Sequence, residues 1–130
     1  MGEPTLYRVH LRREFFMTEM ELLRAILDSY PYAIVYVDSD FIIRYMNRYA
    51  RYHYCVERGY GDLIDKSLFD CRAPQSREKI ADAFHAMQKD GKERFIGVNT
   101  RNLRIYMQPV RDPAGKVCGF FERFELNLQK

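Results

Sequence analysis

Apolar and polar positions change period several times along the chain, and each change marks an element. Tyr7, Val9 and Leu11 alternate with Arg8, His10 and Arg12, the period of two of an edge strand or extended arm. Thr18 and Glu21 have capping-box spacing, with Met17 and Leu22 at the positions of a hydrophobic staple, so a helix is predicted from 19 to 30. Leu22, Leu23, Ile26, Leu27 and Tyr30 form its apolar stripe, and Pro31 stops it. Ala33–Val37 and Phe41–Met46 read as strands joined by the polar turn Asp38-Ser39-Asp40. Asn47 is an N-cap for a helix carrying Tyr49, Ala50, His53 and Tyr54.

An irregular stretch with two glycines follows, from Val56 to Asp65, and then a helical turn over Ser67–Cys71. Ser76 reads as the cap of a longer helix in which Ile80, Ala83, Phe84 and Met87 keep i, i+3, i+4, i+7 spacing and Gly91 ends the run. Three strands complete the pattern: Arg94–Val98, Leu103–Val110 and Val117–Leu126. Asn99-Thr100-Arg101-Asn102 turns the first hairpin and Asp112–Lys116 the second, where Pro113 presets φ and Gly115 supplies a residue able to take φ > 0. Helix, two strands, helices and three strands make an α+β arrangement around one antiparallel sheet.

Particular residues carry a resemblance. Asp38 follows the first strand, Asn47 ends the second, and Ile64-Asp65-Lys66-Ser67 comes next. A Pro-x-x-Asp-x-x-Gly-x-x-x-Gly run extends from Pro109 to Gly119. In this order, over about residues 20 to 126, they resemble the PAS domain family. The resemblance implies a five-stranded antiparallel sheet with helices on one face, preceded by an amphipathic helix. It divides the chain into an arm, 1–18, and one domain, 19–130. It also implies a non-catalytic sensory module of a bacterial signalling or transcription-regulatory protein, with a ligand cavity between sheet and helices. Dimerisation through the N-terminal helix and an effector partner, a kinase or transcription regulator, are implied as well. Cys71-Arg72-Ala73-Pro74-Gln75-Ser76 is similar to a Cys-His-x-Pro-x-Ser run of PAS domains in bacterial regulators, with Arg72 in place of that His.

Composition narrows the function further. A chain of 130 residues is long enough for one core, and 47% hydrophobic with 30% charged residues is a globular composition. The net charge of +3 is spread along the chain rather than clustered, which gives nucleic-acid binding little support. No apolar run approaches the ~20 residues of a membrane span, and the start lacks a secretory signal. Cys55, Cys71 and Cys118 are widely spaced and form no CxxC pair; this argues against disulfide and zinc scaffolds and favours a reducing, cytoplasmic setting. No nucleophile turn, phosphate loop or metal-spaced set appears, so no enzymatic activity is expected.

The candidate ligand-binding residues are His53, Tyr54, Tyr45, Phe84, Met87, Tyr106, Gln108 and Glu122. Phe84, Met87, Tyr54 and His53 are expected to converge, since both helical stripes must face the sheet. His53 reads in two ways: as a ligand or haem contact, or as a half-buried imidazole bonded to a carbonyl or a Tyr hydroxyl. Glu122 shares a strand face with Phe120, Phe124 and Leu126, where a carboxylate needs a cationic ligand or a buried partner. A bulge or the opposite register would instead place it in water. Tyr106 and Gln108 on the adjacent strand are its natural polar neighbours.

No cofactor is expected. Oxygen-sensing PAS domains carry a haem ligand on the helix that here holds His85, but His85 lies off the Ile80–Met87 stripe and should face solvent. Asp70-Cys71-Arg72-Ala73-Pro74-Gln75 resembles the flavin signature of light-sensing PAS domains, with Cys71 about three residues too late. A filled core serving protein–protein interaction remains the alternative to a ligand sensor.

Overall fold

The computed structural model describes residues 5–10, 14–71 and 73–128. The chain opens with a hairpin, β1 (Leu6–His10) and β2 (Glu14–Thr18), which pair with each other and form a two-stranded sheet of their own. Leu11 and Arg12, part of the alternation seen in the sequence, lie outside the described residues. Helix α1 (Glu19–Ser29) begins at a complete capping box: the Glu21 N–H donates to Thr18 Oγ1 and the Thr18 N–H to Glu21 Oε1, both at 3.1 Å. None of its residues is buried, and Met20, Leu23 and Ile26 are each more than half exposed.

Strands β3 (Val35–Asp38), β4 (Ile43–Met46), β5 (Arg94–Val98), β6 (Leu103–Arg111) and β7 (Val117–Leu126) form one antiparallel sheet in the order β4-β3-β7-β6-β5. The β5–β6–β7 meander thus docks its last strand against β3, placing β7 at the centre. Between β4 and β5 the chain crosses one face of the sheet. It passes through α2 (Arg48–Ala50), a π-helix (Arg51–Glu57), a 3-10 turn (Leu68–Cys71) and α3 (Pro74–Asp90).

Helix α3 starts two residues before the Ser76 cap that the sequence suggests. Pro74 occupies its first turn, where the missing N–H costs nothing and the fixed φ suits a helix, and Ser76 falls inside that turn. Gly91 ends α3 in the left-handed conformation at φ 69°, donating its N–H to the Met87 carbonyl at 2.7 Å.

The core lies between the sheet and this helical layer. Ile80, Phe84 and Met87 of α3 meet Val37, Ile43, Met107 and Phe120 of the sheet, with Leu63 and Leu68 from the connecting segments. Phe41 is drawn in from the β3–β4 turn at φ 61°, and its ring contacts those of Phe69, Phe84 and Phe120 at centroid distances of 5.2, 5.5 and 6.4 Å. The Asp38 carboxylate organises that turn. Its Oδ1 accepts from the Asp40 and Ile42 N–H groups at 2.9 and 3.1 Å, and its Oδ2 from Arg44 Nε at 2.7 Å. Burial works upward on this carboxyl, but Arg44 and the two N–H groups outweigh it and hold its pKa below the ordinary value.

The opposite face of the sheet is built differently. Arg123 stacks over the Tyr106 ring at 4.2 Å and donates to Gln108 Oε1 at 3.2 Å, with Glu93 and Glu125 as ion-pair partners. Arg104 lies 4.2 Å over the Phe95 ring and donates to the Tyr106 hydroxyl at 2.9 Å. No helix among the described residues is long and apolar enough to cross a membrane.

Candidate functional site

Asn47 fixes the start of the segment that builds the site. Its Oδ1 accepts from the Ala50 and Ile34 N–H groups, each at 3.0 Å. Its Nδ2 donates to the Leu27 and Tyr32 carbonyls at 3.0 and 2.9 Å. All four side-chain bonds are satisfied at a fully buried position, so one residue caps α2 and ties it to the end of α1 and the entry to β3. Asp28 of α1 adds a second tie by accepting from the Arg48 N–H at 2.7 Å.

Beyond Ala50 the helix widens. The Arg58 N–H reaches the His53 carbonyl, five residues back, at 3.0 Å, and the Tyr60 N–H reaches the Tyr54 carbonyl at 3.1 Å. A π-turn of this kind shifts the side-chain phase relative to an α-helix and is a frequent device at functional sites. Here it buries Tyr54 and leaves Tyr49, His53 and Arg58 along one open end of the sheet.

Two spaces adjoin this helix on the side of Tyr54, and a third, an apolar surface hollow of about 530 Å³, lies along Tyr52, Cys55 and Val56. The interior cavity between sheet and helices, walled by Val35, Val37, Tyr54, Leu68 and Phe120, amounts to about 10 Å³. That is room for no more than one water, so neither a haem macrocycle nor a flavin ring fits there. The second space is a cleft of about 360 Å³ bounded by the π-helix, the Asn99–Leu103 turn, Tyr32–Ala33 and β7. This lies within the range of small-molecule pockets, near its lower end. Ala33, Tyr54, Glu122 and Phe124 belong to both walls and separate the two spaces.

Aromatic rings and guanidinium groups line much of the cleft. Tyr32 stacks on Phe124 at 5.9 Å, and His53 lies stacked on Tyr49 at 6.4 Å and edge-on to Tyr54 at 4.8 Å. Arg101 Nη1 donates to the Tyr49 hydroxyl at 2.7 Å, a bond that raises the arginine pKa, with Glu57 contributing. Arg58 lies 6.0 Å over the Tyr54 ring and 5.3 Å over that of Tyr60. The turn that presents Arg101 is held by Asn99, whose Oδ1 accepts from the Arg101 and Leu103 N–H groups at 2.9 and 3.0 Å. His53 Nδ1 is buried without a hydrogen-bond partner; Glu57 Oε1, at 3.4 Å, is close enough for an ion pair but outside bonding geometry.

Of the residues singled out from the sequence, His53, Tyr54 and Glu122 come together in the cleft wall. Glu122 pairs in register with the fully buried Met107, which sets it on the helix-facing side with Phe120 and Phe124. Phe84 and Met87 turn toward the sheet but are fully buried and pack the core instead of lining a space; Phe84 meets Phe120 at 5.3 Å. Tyr106 and Gln108 lie across the sheet from Glu122, because Met107 between them points inward and the strand alternates.

Tyr45 is not among the residues that line the cleft. It stands opposite Tyr36 on β4, and its buried hydroxyl has no hydrogen-bond partner. Burial raises the pKa of that hydroxyl, with the Asp28 charge adding to the effect. His85 is exposed on α3. Arg72, which stands in place of the His in the Cys-His-x-Pro-x-Ser run, lies outside the described residues. The sequence reading missed Arg58 and Arg101. Their signal was position: Arg101 sits in a hairpin turn, and Arg58 one residue past the end of the π-helix.

A sheet of this order, with its helices on one face and its N- and C-terminal strands paired at the centre, is the PAS architecture. The chain belongs to that family: a family model described as PAS domain matches residues 23–125. No curated protein matches the chain. Among solved structures it is similar to a C-terminal domain from Streptococcus mutans, with TM-score 0.67 and 17% identity over 95% of this chain and 93% of that one. A sensory box sensor histidine kinase from Vibrio cholerae aligns with TM-score 0.57 and 17% identity over 80% and 87% of the two chains. The histidine kinase ThkA, solved in complex with the response regulator TrrA, aligns with TM-score 0.52 and 19% identity over 78% of this chain and 30% of that one. At these identities the likeness is one of fold.

Proposed function

We propose that this chain is a non-catalytic sensory PAS module that binds a small, partly apolar molecule in the cleft beside the π-helix and passes its occupancy to an effector. The observation that carries this reading is the contrast between the two spaces. The interior is filled, whereas the cleft keeps about 360 Å³ behind aromatic walls, with two arginines and an imidazole nitrogen that is buried without a hydrogen-bond partner. A route for output is supported by Asn47 and Asp28, which bond the helix leading into the cleft wall to α1.

The rest of the assignment follows the family. The domain spans 19–130 with 1–18 as an arm. It self-associates through α1 and acts in the cytoplasm on a bacterial kinase or transcription regulator, without binding nucleic acid or membrane itself. Native mass spectrometry of the purified protein tests the ligand site: a retained small molecule is expected, and Ala33→Phe, which fills the cleft, should release it. A wild type that carries nothing and gains no stability from any small molecule defeats the reading.

A second reading has its own support. The filled interior and the exposed Met20, Leu23 and Ile26 suit an interaction domain whose output depends only on a protein partner. That reading requires the Ala33→Phe variant to remain fully functional in complex formation.

A further inference from the structure

The charges around the cleft are answered within the protein. Arg101 donates to the Tyr49 hydroxyl at 2.7 Å, and the Glu57 carboxylate acts on its guanidinium. Arg58 donates to the Tyr60 hydroxyl at 3.3 Å and lies over the rings of Tyr54 and Tyr60. Glu122, half-buried on the inner wall, is also engaged within the protein. With His53 neutral, the guanidinium groups of Arg58 and Arg101 are balanced by the carboxylates of Glu57 and Glu122. An ion of either sign entering this space would shed water and meet both signs of charge at once, with none left over to pair with it.

What the cleft leaves open is aromatic surface and a ring nitrogen. Tyr32 and Phe124 line it from the sheet side, and Tyr49, His53 and Tyr54 from the helix. On His53 the two nitrogens differ. Nδ1 is buried, with Glu57 Oε1 at 3.4 Å; the pair is outside bonding geometry, but the carboxylate favours the proton on this nitrogen over the far one. Nε2 has no partner among the described residues and is not buried, so it faces open space as an acceptor. We propose that the ligand is an uncharged, planar aromatic molecule with an N–H donor, a primary amide or a ring N–H in chemical class, which lies among these rings and donates to His53 Nε2. This rests on the cleft being the ligand site. A ring without a donor would cover Nε2 and leave it unmet, so the donor adds discrimination that the aromatic walls alone do not supply. The role of Glu57 is to position: it holds the imidazole in the tautomer that accepts.

Calorimetric titration of the intact chain with benzamide and 2-naphthamide, each against its carboxylate, its methyl ester and the corresponding arylmethylamine, tests the assignment. The carboxylate and the amine add a charge, and the ester removes the donor. At least one amide should bind about tenfold or more tighter than all of its counterparts. In His53→Phe, which keeps a ring and loses the acceptor, that amide should fall to the affinity of its ester, while the ester itself is unchanged. Circular dichroism establishes that the variant is folded, and the comparison in the wild type stands without it. A carboxylate, amine or ester that binds as tightly as its amide overturns the proposal. So does a His53→Phe effect that is absent or equal for amide and ester, or a failure of every compound to bind. If native mass spectrometry then finds a molecule of another class that Ala33→Phe releases, the cleft remains the ligand site and only the assignment of its ligand is lost. If it finds nothing, both fail.

Discussion

Asn47 donates a hydrogen bond from Nδ2 to the carbonyl of Leu27 at 3.0 Å, joining the last turn of α1 to the first residue before α2. The same side chain holds the Tyr32 carbonyl and the Ile34 and Ala50 N–H groups, so three chain segments share one amide. Asn47→Ala would leave two donors and two acceptors unmet around a fully buried position. The expected loss is about 3–4 kcal/mol, a fall in Tm of roughly 10 °C on thermal denaturation. Asn47→Asp keeps both acceptor bonds but sets a carboxylate against two carbonyls, and it should be no better. A Tm within a degree or two of wild type for either variant would show that these bonds do not hold the segments together.

Gly119 on β7 is buried with β3 directly beside it. A Cβ there would strike the Val37 carbonyl and lie 2.6 Å from the Tyr36 hydroxyl, which donates to the Cys118 carbonyl at 3.3 Å. Burial, followed by the Cys118 contact, pushes the Tyr36 pKa up to about 12. Gly119→Ala should cost about 2 kcal/mol or more by denaturant melt, through forced separation of β3 and β7. Adding Tyr36→Phe should recover only the part due to the hydroxyl, since the carbonyl clash remains.

Asp38 sets a pH dependence whose sign follows from its partners. Its pKa lies below the reference 3.8 in the folded chain, so its contribution is present above that value and is lost as pH falls through the lower folded value. Asn in its place retains the Oδ1 acceptor for Asp40 and Ile42 but not the charge that holds Arg44. Asp38→Asn should therefore melt below wild type at pH 7, with the gap closing as the pH drops from about 4 toward 2. A gap that stays constant over that range would assign the loss to shape rather than charge.

Met20, Leu23 and Ile26 expose an apolar stripe on α1. With a second copy as its cover, Leu23→Glu with Ile26→Glu should convert a dimer to a folded monomer in light scattering, with an unchanged circular dichroism spectrum. A wild type already monomeric at high micromolar concentration removes this prediction.

Most of the fold was legible because its signals are local. The turn at Asp112–Lys116 was marked by Pro113 and Gly115, and Gly115 does adopt φ 85°. Asn47 was recognisable as a cap from its place before a helical run. Other features depend on contacts distant in sequence. No pattern of apolar residues announces a π-helix, since its phase shift follows from packing and capping at both ends. The side of the sheet on which Glu122 falls is fixed by pairing with Met107, fifteen positions away, and the same pairing sends Tyr106 and Gln108 to the other face. Phe84 and Met87 carried a correct stripe, yet a stripe cannot tell a cavity wall from a filled core; the aromatic ring of Phe41, delivered at a positive φ, occupies the space.

The π-winding from Arg51 to Glu57 also makes length a variable at this place. A π-turn closes each hydrogen-bonded ring with one residue more than an α-turn. Deleting a single residue from this stretch would let an ordinary helical ladder close, with the side chains between the deletion and the end of the winding stepping round by about 100°. Tyr54 and Arg58 would exchange their present directions for those of their neighbours, with β3, β4 and α3 undisturbed. The shape of the receptor could thus be retuned by insertion and deletion, a route that leaves the sheet's own residues unchanged.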